Sequence, residues 1–450
     1  MPHSARVFWC RTAFVLFCLV PTLVVATWIV RRSRPEFIAA EKLEWQRELS
    51  QRLGLAVSIG KLSYPNYYTA RLDEVKLADA ETGAVAAHVR SLEIARTSSG
   101  WGIDVSQPEI DLPTLARVGT LVHDRLFRSE TAATGECELS ARELTLRSDG
   151  RALTLVNVTA LRESTAGGPR MTVNFQLAGQ SPAAEPSRLT LTRNLRHSPP
   201  RTRWELKTGA DPLPCSLLGE LLPSVAYLGN DVSFQGVAWC TKSELGLSGE
   251  VTGTLERVEL DRLLTEHFPH QLSGLAKLHL APAQIEASRL TALRGTLQAA
   301  DGRISSSLLA AAQDHLALTA AASAAALPAG HSLAFRHLSI GLQLDENGLS
   351  LTGSADPTRD GVLLANATGI LLEAPPRHHV SAVALIRALA PDSQVQVPAT
   401  MQTNVLVRTL PLPNLVPAQT AAREIGHLPT RLAPAGSFDE SQAVTEGKLK

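Results

Sequence analysis

The chain has 450 residues and balances 43 Lys and Arg against 43 Asp and Glu, so no bulk field favours nucleic acid or an acidic partner. Aromatic residues are only 4% of it, which leaves little to fill a thick core. The length suits two or three ordinary domains or one elongated architecture.

The first element is apolar. Thr12 to Val30 carries no charge, and as a helix these 19 residues cover roughly 28 Å, close to the hydrocarbon thickness of a bilayer. A cleaved signal peptide is the alternative, but its apolar region usually runs to about 7–15 residues. Trp9 and Trp28 flank the run where interfacial aromatics belong. Residues 1–34 are therefore read as a tail and membrane anchor. Arg6 and Arg11 before the run nearly balance Arg31, Arg32 and Arg34 after it, so the charges leave its orientation open.

Residues 35–53 read as an amphipathic juxtamembrane helix. Phe37, Ala40, Leu43, Leu49 and Leu53 recur at helical spacing, Pro35 suits the first turn and Gly54 the end. From residue 54 the period changes to two. Leu55, Val57 and Ile59, then the stretches 171–177 and 338–344, alternate as strands with one apolar face. Asp149-Gly150, Asp301-Gly302, Asn347-Gly348 and Asp360-Gly361 carry the chemistry of hairpin turns. About 20 strands are expected, in antiparallel meanders.

A pattern of apolar, two residues, apolar, one residue, apolar occurs at Leu72-Val75-Leu77, Ala141-Leu144-Leu146, Leu255-Val258-Leu260 and Phe335-Leu338-Ile340. A β-bulge at each would restore the apolar face; chance in a Leu-rich chain is the other reading. Helices are expected at Leu112–Phe127, Leu217–Leu222, Asp261–Phe268 and Ser305–Ala312. Residues 418–450 read as a disordered tail.

Chemistry is sparse. Phosphate-binding glycine loops and nucleophile elbows are lacking. Glu266-His267-Phe268-Pro269-His270 brings a carboxylate and two histidines together, but Pro269 keeps them off one helix face, so no metal site is expected. Scattered acids such as Asp73, Glu74 and Asp104 read as the solvated strand face. Tyr64, Tyr67 and Tyr68 cluster at the first strand, as packing or as a membrane-surface or carbohydrate contact. Cys215 and Cys240 are the pair available for a disulfide in an oxidising compartment, with free thiols as the alternative. No catalytic residue, cofactor or metal ligand is assigned.

Two blocks carry a family resemblance. Residues 54–127, with LGLAVSIGKL, ARLDEVKLADAETG and QPEIDLPTLARVGTLV, resemble the N-terminal module of AsmA-like proteins, relatives of TamB. Residues 249–318, with Gly253-Thr-Leu through Leu264 and Gly295-Thr-Leu through Asp301-Gly302-Arg-Ile304, resemble their C-terminal region. A β meander at 128–248 joins the two, and the second region extends to 417. The resemblance implies a mainly β protein: one N-terminal transmembrane helix, then an elongated, curved antiparallel sheet forming a groove, with few short helices. It implies a bacterial inner-membrane protein with a cytoplasmic N-terminus and a periplasmic body. It further implies a non-enzymatic role in lipid transfer for outer-envelope biogenesis.

Under that reading Val57, Ile59, Leu72, Val75, Leu77, Leu92, Ile94, Leu278, Leu280, Leu338 and Ile340 line the groove, and membrane lipids are the partners. In a closed sandwich the same side chains would pack against a second sheet. The alternative function is an envelope scaffold whose β surface or edge binds other proteins.

Overall fold

A computed structural model describes residues 12–390 apart from 33–34, 67, 99, 124–126, 128–135, 149, 182, 217–222, 244–245 and 322–329. The expected helix at 217–222 and the tail 418–450 lie outside the described residues.

The apolar run is helical but divided. A π-helical turn, Val15–Leu19, leads into an α-helix of 13 residues, Val20–Arg32. Pro21 has no N–H to give and crowds the preceding turn, a local reason for the wider π geometry there. Among the described residues no helix is long and apolar enough to cross a membrane. The α-helical part covers only about 20 Å, so the uninterrupted membrane-spanning helix expected over Thr12–Val30 is not found. The helix Pro35–Leu53 is as expected, and Gly54 (φ 72) closes it, its N–H donating to Ser50 O.

The body is mainly β, one large curved sheet that does not close. Its first nine strands are β1 (Ala56–Asn66), β2 (Thr69–Ala78), β3 (Val85–Arg96), β4 (Gly100–Asp111), β5 (Glu136–Ser148), β6 (Arg151–Thr165), β7 (Gly168–Leu177), β8 (Ser187–Asn194) and β9 (Arg201–Lys207). The rest are β10 (Leu213–Pro214), β11 (Ser233–Ser243), β12 (Gly246–Glu259), β13 (Leu272–Glu286), β14 (Arg289–Ser305), β15 (Thr319–Ala320), β16 (Ser332–Asp345), β17 (Gly348–Gly353), β18 (Val362–Asn366) and β19 (Gly369–Glu373).

Consecutive strands pair from β1 to β9; then come β11 to β14 and β16. β10 continues the line of β9 beside β11, while β17 and β18 share the far side of β16. All pairs are antiparallel except β4 with β5, which is parallel and requires the chain to return along the strands between them.

Each of the four patterned segments coincides with a skipped register pair. Glu74 (φ 54) and Arg257 (φ 62) take the left-handed conformation inside their own patterns. At the other two the left-handed residue lies on the neighbouring strand, Asn157 (φ 53) beside Ala141–Leu144 and Asp301 (φ 53) beside Phe335–Leu338. At three of the four the register is the same on both sides, because the partner strand skips one residue as well; only Leu255–Val258 against β13 carries the expected one-residue bulge. In each case the skipped residue returns the next apolar side chain to the same face. Asp301-Gly302 is consequently no hairpin turn but a bulge within β14. Gly302 is needed there because Phe335 packs across it; a Cβ would lie 2.3 Å from the ring.

Two apolar clusters organise the sheet. The first covers β1–β9 and receives Ile38, Trp45 and Leu49 from the helix Pro35–Leu53. The second underlies β11–β19 and is covered by the helices Ser306–Leu316 and Ala382–Leu389. Ser305 caps the former, accepting from Leu308 N at 3.3 Å. The short helix expected at Asp261–Phe268 is a π-helical turn, Asp261–Thr265.

Candidate functional site

The register aligns apolar residues into one row across fourteen strands. It runs Ala70, Ile94, Ile103, Leu139, Ala160, Val173 and Leu189 on β2–β8. It continues through Leu206, Ala238, Val251, Ala283, Leu293, Leu344 and Leu349 on β9, β11–β14, β16 and β17. At ~4.8 Å per strand its path is roughly 60 Å long. Shorter rows lie beside it, among them Leu62–Leu72–Leu92–Val105–Ala141–Val158 and Val57–Leu77–Ala87–Ile110–Leu146–Leu153.

The long row is buried at Ala70, Ala160, Ala283, Leu344 and Leu349 and half-exposed between them. Ile94, Ile103, Leu139, Val173, Leu189, Leu206, Val251 and Leu293 all keep partial contact with solvent. All described strands belong to a single sheet, so no second sheet faces these side chains.

The eleven residues expected to line a groove divide accordingly. Val57, Ile59, Leu72, Val75, Leu280 and Leu338 are buried and act as core, whereas Leu77, Leu92, Ile94, Leu278 and Ile340 are half-buried and accessible. Ile103, Leu139, Val173, Leu189 and Leu206 were not anticipated as lining, although their alternation was visible; the register that aligns them was not.

One segment lies over this face. The return from β4 to β5 begins as the helix Leu112–His123, whose Leu115 and Val118 pack against Leu53, Leu55, Leu77 and Ala86. At its other end His123 Nε2 is 3.0 Å from Thr202 Oγ1 on β9, and its ring stacks between Phe127 and Trp204 at 5.4 and 6.1 Å. Arg193 Nη1 donates to the same hydroxyl at 3.0 Å. The segment thus straps the β1–β3 wall to β8 and β9. Its expected apolar positions Val122 and Leu126 lie outside the described side chains.

Among the described residues the cysteines form no disulfide. Cys215 opposes Val232 at the start of β11, and Cys240 lies eight residues further on, roughly 26 Å away at strand rise. Both thiols are free, and burial pushes that of Cys215 up to about 11, far from a reactive thiolate. Burial likewise raises Cys240 and Cys137.

A depression of about 530 Å³ opens on the opposite face at β12–β16. Its rim residues Leu275, Lys277 and His337 alternate with inward Ala276, Leu278 and Leu338. Lys277 is already held by Glu256 at 2.8 Å, and Ser339 by Ser354 at 2.7 Å. Among the described residues no three His, Cys, Asp or Glu side chains are grouped to hold a metal. His267 and His270 diverge: His270 Nε2 donates to Ala388 O at 2.9 Å, while His267 packs edge-on to Tyr227 with ring centres 4.8 Å apart.

No family model, curated protein or solved structure matches the chain.

Proposed function

We propose that the protein binds acyl chains of membrane lipids along the half-exposed apolar row and passes them within a bacterial cell envelope, without enzymatic chemistry. The observation that carries this reading is the unbroken row from Ala70 to Leu349 on an unclosed sheet with no facing sheet. Each methylene transferred from water to such a face contributes about 0.8 kcal/mol, so the site needs no special polar residue. The apolar helical run at Thr12–Arg32 is the proposed bilayer anchor, continued through the π-turn; the N-terminus is cytoplasmic and the body periplasmic. That orientation rests on the resemblance to AsmA-like proteins, as does the link to outer-membrane biogenesis.

Benzophenone photo-crosslinkers at positions 94 and 206 test the reading in cells. Phospholipid adducts are expected at both, and at least about tenfold fewer at the outward position 104. Adducts with proteins alone would replace lipid transfer by the scaffold function. Leu206→Glu should reduce lipid capture from position 94 severalfold while costing stability only about 1 kcal/mol, because Leu206 is half-exposed.

A further inference from the structure

The helix Pro35–Leu53 and β1 run antiparallel along each other. Ser50 Oγ accepts from Val57 N at 3.0 Å, near the end of the helix and the start of the strand. Lys42 Nζ donates to Gly60 O at 3.3 Å, earlier on the helix and later on the strand. From Ser50 back to Pro35 the helix covers about 22 Å. From Val57 forward to Tyr64 the strand covers about 23 Å. Pro35 is therefore level with Tyr64, and the β1–β2 turn at 66–69 extends roughly 7–10 Å beyond it.

That overhang points to the side from which the chain arrives. The apolar helix ends at Arg32, two residues before Pro35. With Pro35 at the outer limit of the bilayer, an overhang of this length reaches into the headgroup layer, which is about 5–7 Å deep on each side.

Its composition suits that layer. Tyr64 and Tyr68 are here. Tyr68 is 73% exposed, and Asn66 Oδ1 accepts from its backbone N–H at 2.9 Å, fixing the turn. Phe37, 43% exposed, lies on the first turn of the helix at the same end. Tyrosine combines an apolar ring with a polar tip and concentrates at membrane–water interfaces. The opposite ends of these strands differ: the β2–β3 turn carries Asp79 and Glu81, which an anionic surface repels.

We propose that the β1–β2 turn, through Tyr68 and with Phe37 at the same end of the body, docks the body on a phospholipid surface, so that the first strands of the groove meet the bilayer end-on. The proposal rests on the anchor reading given above.

The test uses the full-length protein reconstituted in vesicles of phosphatidylethanolamine and phosphatidylglycerol, with a benzophenone amino acid at position 68 or at Val85, an exposed residue at the opposite strand ends. Both positions are solvent-facing, so neither change disturbs packing. Phospholipid adducts at least about tenfold more abundant from 68 than from 85 are expected. Vesicle-bound protein with equal yields, or with more adduct at 85, would overturn the docking surface and leave the anchor standing. Protein that fails to float with the vesicles would overturn the anchor and the docking surface together.

Discussion

Two buried imidazoles hold the helices over the second apolar cluster. His270 Nε2 donates to Ala388 O at 2.9 Å, and its Nδ1 is 3.0 Å from Ser307 Oγ. His378 Nδ1 accepts from Leu351 N at 3.0 Å, and its Nε2 donates to Leu316 O. Burial lowers the pKa of His270, opposed in part by its bond to Ala388. A base whose folded pKa lies below its unfolded value of about 6.5 contributes stability above that value and loses it as pH falls toward the folded pKa. The protection of amides in the helix Ala382–Leu389, taken against their intrinsic exchange rate, should therefore fall as pH drops below about 6.5. His270→Gln, which can still donate to Ala388 O but does not titrate, should flatten that dependence. An equally steep response in the variant would remove His270 as the cause. Pro269 argues in the sequence against a shared metal-binding face for His267 and His270, but the partners of His270 and His378 lie 118 and 62 residues away and could not be read from it.

The element most legible from sequence was the strand whose alternation breaks, although at Leu72–Val75 the register is kept on both sides and the extra residue makes a local kink, not the expected bulge. Leu72-Asp73-Glu74-Val75 breaks strict alternation by one residue, and Glu74 supplies the left-handed turn that absorbs it. Leu72 then pairs with Leu62 and Leu92, and Val75 with Ile59 and Val89, all on one face. Deleting Glu74 would turn Val75 and Leu77 to the solvent face or force Leu72 out of a site where it has no exposure. The loss expected is at least that of a buried large-to-small change, roughly 2–5 kcal/mol. Glu74→Gly should fall within about 1 kcal/mol of the parent, since glycine adopts this conformation without a Cβ penalty. Thermal unfolding compares the two, and equal destabilisation would contradict the role of the kink at Glu74. The Asp301-Gly302 dipeptide shows the limit of such signals. The same residues that make hairpin turns also make bulges, and only the pairing of β14 with β13 and β16 distinguishes them. The helix Ala382–Leu389 escaped notice because Ser381 and a short apolar stretch are too little to separate it from a strand.

At the scale of the molecule, the two apolar clusters are joined where β9 meets β11 over five register pairs. Each half of the sheet thus has its own buried set, and unfolding should proceed in two steps rather than one. Phe335→Ala, at 2% exposure in the second cluster, should cost about 3–5 kcal/mol and lower only one of two calorimetric transitions. A single transition that moves as a whole would show that the ladder folds as one unit. The edges are managed as an open sheet requires: Ser50 and Lys42 of the helix Pro35–Leu53 engage the backbone of β1, and Pro65 removes a donor near its end.

The sequence by itself determined the period of the elements, the change from helix to strand at Gly54 and the places where strand alternation breaks. These are properties of neighbouring residues, set by side-chain alternation and local turn chemistry. Only the tertiary structure decided which apolar residues became core and which remained half-exposed, and that Cys215 and Cys240 stay apart. Those outcomes depend on register between strands far apart in the chain and on what packs over each face. Alternation names the two faces of a strand, but what covers a face is fixed only when the chain is folded.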